Sequence, residues 1–100
     1  MKTADVLKEA RAKIETGWCR TRMEQWRGGR MCYCAVGAVD ASTTLTEERF
    51  QAYRELQRTI APAALGSYTP IIFRFNDESP SKKRVLAVFD ETIARLEGRS

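Results

Sequence analysis

The chain contains no histidine. This absence excludes histidine-based acid–base catalysis, Ser–His and Cys–His nucleophile pairs, and histidine metal ligands. Asp40 and Asp77 are the carboxylates that follow or lie within predicted apolar elements. Neither has a second carboxylate, a nucleophile or a metal ligand placed with it by sequence spacing. An enzyme is therefore the least supported class of protein, and we predict no catalytic residue.

Long apolar runs are also missing. No stretch of about 18 apolar residues occurs, so the sequence predicts no transmembrane helix. The first ten residues carry charges where a secretory signal needs an apolar core. We therefore expect a cytoplasmic protein that does not associate with membranes.

Cysteine is scarce and odd in number, at Cys19, Cys32 and Cys34. An odd count without a secretion signal favours reduced thiols over a disulfide framework. A Cys-x-Cys pair with a third thiol is part of a zinc ligand set, but Asp40 would have to complete it. Buried free thiols are the better interpretation, and we predict neither a metal nor another cofactor.

One hundred residues, 43% of them hydrophobic, predict a single compact domain over residues 1–100. The net charge is +4 and the calculated isoelectric point is about 9.2. This excess of positive charge favours anionic partners, but only mildly.

Apolar residues at helical spacing predict three long amphipathic helices, over residues 4–16, 47–60 and 80–97. Gly17 suits a left-handed cap for the first helix. Thr46 is the predicted N-cap of the second helix, whose inward stripe includes Phe50. Ser79 is the predicted N-cap of the third helix, in which Pro80 begins the first turn.

A stretch of small, mostly uncharged residues runs from Tyr33 to Ser42. Within it, residues 34–42 predict a short central helix that is buried on nearly all sides. Gly37 costs stability in a helix and is explained by the close approach of another backbone or a ligand. A neighbouring helix is the preferred candidate for this approach.

Residues 18–33 alternate in a way that predicts a β-hairpin around Gly28-Gly29, since both glycines accept positive φ. A short helix followed by a glycine turn is the alternative. Residues 71–76 fit a helix and a strand equally well. The fold class that we predict is mainly helical α+β, with three amphipathic helices around a short central helix and a small β-hairpin.

Basic and aromatic residues interleave around this glycine turn. On a strand, four of them would share one face: Trp18, Arg20, Arg22 and Trp26. Arginine binds phosphate or carboxylate with two parallel hydrogen bonds, and aromatic rings stack on bases or on guanidinium groups. The alternative is an outer face whose tryptophans anchor a small sheet to the core. The predicted binding residues here are Trp18, Arg20, Arg22, Trp26, Arg27 and Arg30.

Two further groups of polar residues are candidates for ligand binding. Asn76 and Asp77 follow an apolar run and either bind a ligand or satisfy backbone groups where two helix ends meet, and the second interpretation is preferred. Three cations, at residues 82–84, lie in the first turn of the last helix. They form either an anion site or, preferably, a solvated charge run.

Several motifs together resemble a family of small proteins of bacteriophages and actinobacteria. The motifs are Gly17-Trp18, then Cys34-Ala35-Val36-Gly37-Ala38-Val39 with Ala41, then Phe75-Asn76-Asp77, then Val85-Leu86 before Asp90. The family pattern has a Trp-Cys-Ala-x-Gly-Ala core and a Trp-Asn-Asp element. Tyr33 and Phe75 stand where tryptophan is usual, and both keep an aromatic ring. The resemblance implies a phage or prophage accessory protein of the bacterial cytoplasm.

Three hypotheses for the function follow. The leading one is a non-enzymatic protein that binds and modulates a host macromolecule, in the manner of an anti-defence inhibitor, through the basic and aromatic residues. The second is a binder of a small anionic nucleotide held by Arg22, Arg30 and the Asn76-Asp77 pair. The third is a nucleic-acid-binding protein. A homodimer is also open, because two tryptophans lie on the predicted hairpin.

Overall fold

The computed structural model describes residues 1–98 and shows five helices and one antiparallel pair of strands in that range. This confirms the predicted fold class. The elements in chain order are α1 (Thr3–Thr16), β1 (Glu24–Arg27), β2 (Arg30–Tyr33), α2 (Ala35–Ser42), α3 (Thr46–Ile60), α4 (Tyr68–Glu78) and α5 (Lys82–Leu96).

All five helices contribute to one hydrophobic core. The short helix α2 contacts α1, α3, α4 and β2, so it lies in the centre as its composition predicts. The side chains of α1 that face this core are Val6, Leu7, Ala10 and Ile14, all with no exposed surface. The amphipathic spacing of α1 therefore determines which side of the helix packs inward.

Gly37 lies in α2 directly against the chain that enters the hairpin. A Cβ atom at this position would be only 1.8 Å from the carbonyl oxygen of Met23. The same carbonyl accepts a hydrogen bond from the Cys34 N–H at 3.0 Å. The predicted close approach is therefore confirmed, but the neighbour is the non-helical segment before β1 and not another helix.

The predicted left-handed cap at Gly17 is wrong. Gly17 is extended, with φ −174° and ψ 121°. Its carbonyl accepts the Tyr33 N–H at 2.9 Å, which draws this segment alongside β2. A Cβ atom would lie 2.8 Å from the Cys32 Sγ, so glycine is needed here for close packing.

Helix α3 begins one residue earlier than predicted, and Leu45 occupies the cap position without a side-chain hydrogen bond. Phe50 does not face inward, since 54% of its surface is exposed. The buried stripe is formed by Ala52, Tyr53 and Leu56, which places Phe50 at its margin. There its ring meets the edge of Tyr53, with 6.2 Å between ring centroids.

The segment that fitted helix and strand equally is helical and forms part of α4. This helix begins at Tyr68, before the segment in question. Helix α5 begins at Lys82, two residues after the predicted start. Its N-cap is Ser81, whose Oγ accepts the Arg84 N–H at 3.3 Å.

Candidate functional site: the basic hairpin

The hairpin turns at Gly28 and Gly29, which have φ of 57° and 80°. Both angles lie in the left-handed region, where glycine carries no steric penalty. The strand pairing places Arg27 directly opposite Arg30. The predicted hairpin is therefore confirmed, and its alternative, a short helix, is wrong.

Two arginines that face each other across a strand pair repel, and such pairs destabilise a hairpin. The side chain of Arg27 donates to Gln25 Oε1 at 2.8 Å, and that of Arg30 donates to the Thr16 carbonyl at 3.0 Å. Both acceptors are neutral. The tip of the hairpin therefore carries two positive charges that no carboxylate of residues 1–98 neutralises.

Trp26 directly precedes Arg27 in sequence and points to the other face of the hairpin. Its cross-strand partner is Met31, and 68% of its surface is exposed. Successive side chains of a strand alternate between faces, which separates Trp26 from Arg27. The two faces of the tip thus present different chemistry, one aromatic and one cationic.

The prediction that Trp18, Arg20, Arg22 and Trp26 share one face of a strand is wrong, because β1 begins only at Glu24. Thr21 interrupts the extended chain with φ of 65°, a rare conformation for a β-branched residue. The carboxylate of Asp77 holds this conformation by accepting the Thr21 N–H at 2.8 Å. Asp77 is therefore placed as a support of the segment before β1.

Trp18 and Arg20 also have structural contacts. The guanidinium of Arg20 lies 4.5 Å from the centroid of the Trp18 ring and donates to the Ser79 carbonyl. Arg22, by contrast, is exposed, and its side chain makes no hydrogen bond or ion pair within the described residues. Of these three residues, Arg22 is the one that is free to contact a partner. We call Arg20, Arg22, Trp26, Arg27 and Arg30 the basic segment.

Asn76 has no exposed surface and uses every hydrogen-bonding position of its amide inside the protein. Its Oδ1 accepts the Trp18 Nε1–H at 2.8 Å and the Ala35 N–H at 3.0 Å. Its Nδ2 donates to the Cys19 carbonyl at 3.1 Å and to Asp77 Oδ1 at 3.2 Å. The side chain therefore joins α4, the start of α2 and the segment before the hairpin, as the structural interpretation of this residue predicts.

The cations at the start of α5 lie beside the basic segment. Lys82 Nζ donates to the Glu15 carbonyl at 2.9 Å, next to the Thr16 carbonyl that Arg30 uses. Both cations thus meet the last turn of α1, where the helix dipole favours positive charge. No local sequence pattern indicates that the end of α1 and the start of α5 converge, so residues 18–33 and 82–84 have no visible connection in the sequence.

Among the arginines of residues 1–98 outside the basic segment and residues 82–84, all except Arg54 form ion pairs. Eight ion pairs join charged groups in that range, and one example is Arg95 with Glu55 at 2.8 Å. None of the eight includes an arginine of the basic segment or a cation of residues 82–84. The uncompensated positive charge is therefore concentrated at one end of the fold.

The three thiols and Asp40 are the remaining candidates for chemistry, and burial affects the ionisation of several of them. All three cysteines are free and buried, and burial raises the pKa of Cys19 and of Cys34. Burial also raises the pKa of Asp40, an effect that Arg49 opposes from 3.7 Å. Within residues 1–98, no group of three or more cysteine or acidic side chains is arranged to hold a metal ion.

The fold and this site define a small, mainly helical α+β protein with a cationic hairpin. None of the helices in residues 1–98 has both the length and the apolar character needed to cross a bilayer. The chain belongs to the family of unknown function DUF6197, whose model matches residues 1–95. No curated protein and no solved structure gives a significant match.

Proposed function

We propose that this chain is a non-enzymatic binding protein whose basic segment engages an acidic surface of a protein partner. The observation that carries the proposal is the cross-strand pair of Arg27 and Arg30, with an exposed Trp26 on the opposite face of the same hairpin tip. A repulsive pair at a hairpin tip costs stability in the free protein. Carboxylates of a partner would remove that cost on binding.

The chemistry of the tip favours a protein partner. Arginine and tryptophan are enriched among the residues that dominate binding energy at protein interfaces. Arginine binds carboxylates in a fixed bidentate geometry, while an exposed indole supplies a large apolar contact. A nucleotide held at the Asn76-Asp77 pair receives less support, because the amide of Asn76 is saturated by protein groups.

The identity of the partner rests on the resemblance described above. On the basis of this resemblance we propose that the partner is a macromolecule of a bacterial host. The chain would then act as a phage or prophage inhibitor of the anti-defence type. The chain's small size and the absence of histidine are in keeping with a binding role. Cytoplasmic action in the host follows from the same proposal.

The test is affinity capture from nuclease-treated bacterial lysate with three baits. The first is the wild-type protein and the second carries Arg27→Gln and Arg30→Gln. The third carries Lys2→Gln and Arg54→Gln, two exposed cations outside the basic segment, so both variants have a net charge of +2 in place of +4. We expect the wild type and the Lys2/Arg54 variant to enrich the same protein and the hairpin variant to lose it.

Two outcomes contradict the proposal. Equal capture by all three folded baits would show that the hairpin is not the contact surface. Capture that occurs only from lysate without nuclease treatment, and that falls steeply as the salt concentration rises, would identify nucleic acid as the ligand.

A further inference from the structure

A cavity of about 440 Å³ lies between the end of α3, the outer side of α4 and the turn into α5. Most of its wall is apolar. The lining residues of that kind are Ile60, Ala61, Ala64, Ile71, Phe75 and Pro80. None of the sequence-predicted binding residues contributes to it, so it is distinct from the basic segment.

Of the two arginines at the rim of the cavity, one is ion-paired within residues 1–98 and the other is not. Arg74 donates to Glu78 at 3.0 Å, and these two side chains neutralise each other. Arg84 lies with its guanidinium 5.6 Å from the centroid of the Phe75 ring. It has no carboxylate partner among residues 1–98. The cavity therefore combines an apolar wall with one uncompensated cation.

We propose that this cavity binds a small organic monoanion, with an aryl or branched alkyl body inside and a carboxylate on Arg84. The volume lies within the range of about 300–1,000 Å³ that is usual for small-molecule sites. A guanidinium matches the planar carboxylate with two parallel hydrogen bonds. The ligand should carry one negative charge, since Glu78 already compensates Arg74.

This site does not depend on the proposed partner of the basic segment, and its test uses the isolated protein. The probes are phenylbutyrate and isocaproate, one aryl and one branched alkyl carboxylate. Their binding is monitored by the chemical shifts of the backbone amides in NMR spectra. We expect saturable shifts at Ala61, Ile71, Phe75 and their neighbours for at least one acid. Phenylbutanol, which has the same aryl body without the carboxylate, should bind about tenfold more weakly.

Two variants and one control locate the binding. Arg84→Gln should weaken the acid by about tenfold and leave phenylbutanol unchanged. Lys83→Gln removes the neighbouring exposed cation, which does not line the cavity, and should have no effect. Ala61→Leu keeps the charge but fills part of the cavity, and it should weaken both ligands.

The proposal is overturned if neither acid gives saturable shifts at millimolar concentration. It is also overturned if the shifts fall outside the lining residues or if the alcohol binds as tightly as the acid. Equal affinity of the wild type and the folded Arg84→Gln variant would contradict it as well. Each of these results leaves the role of the basic segment unaffected, because no residue of that segment is altered.

Discussion

Replacing Asn76 with alanine should be among the most destabilising single changes in this protein. The substitution removes four hydrogen bonds from a side chain with no exposed surface. Two of its partners, the Ala35 N–H and the Cys19 carbonyl, are buried and would be left without a replacement. The start of α2 and the segment leading to the hairpin would both lose their connection to α4.

The magnitude follows from these two groups. A buried polar group left unsatisfied costs about 1–3 kcal/mol, which gives about 2–6 kcal/mol for the pair. The Trp18 N–H is only part-buried, so water can replace the lost acceptor and its contribution is smaller. A domain of this size has a total stability of about 5–15 kcal/mol, so the variant should lose a large fraction of it.

Urea unfolding followed by circular dichroism and tryptophan fluorescence measures this loss directly. The control is Arg22→Ala, which removes an exposed side chain without a partner and should change stability by no more than about 0.5 kcal/mol. A loss below about 1 kcal/mol for Asn76→Ala would refute the conclusion that this amide joins the three elements.

Three further predictions concern packing, charge and thiol burial. Gly37→Ala should cost about 3 kcal/mol or more by urea unfolding, because its Cβ would overlap the Met23 carbonyl. Gly29→Ala, with φ of 80° but open space around it, should cost only about 1–2 kcal/mol. Burial raises the pKa of Asp40 despite Arg49, so the folded state holds the proton more tightly and ionisation of Asp40 lowers stability as pH rises above 3.8. Asp40→Asn should therefore unfold at a higher urea concentration than the wild type at neutral pH, and the gain should vanish at acidic pH; a constant gain at all pH values would contradict this. The three buried thiols should react with Ellman's reagent much more slowly in the folded protein than in urea, and rapid reaction of the native state would contradict their burial.

Local chemistry was sufficient to predict much of this fold. The spacing of Val6, Leu7, Ala10 and Ile14 predicts α1 and its buried side, and the Gly28-Gly29 pair predicts the hairpin turn. These features depend on residues close in sequence. The same reasoning failed at Gly17, because the conformation there is determined by Tyr33 and Cys32, which only the folded chain brings near.

In the candidate site, too, the features that depend on residues close in sequence were predicted and those that depend on distant residues were not. Sequence indicated that arginines and tryptophans gather around the turn, but not that Thr21 interrupts the strand. The positive φ of Thr21 depends on Asp77, which is 56 residues further along the chain. Sequence offered an anion site at residues 82–84 as one interpretation but not the cavity beside Arg84, since its walls come from three helices and the two connections between them.

In the proposed function the partner binds the cationic tip of the hairpin, so the affinity of the captured partner should depend on Arg27 and Arg30. The dissociation constant should be measured for the wild type and for the Arg27→Gln/Arg30→Gln variant at physiological salt. We predict binding weaker by about tenfold or more. The folded variant should be no less stable than the wild type, because the repulsion between residues 27 and 30 is removed. An unchanged dissociation constant in a folded variant would show that the partner does not bind at residues 27 and 30.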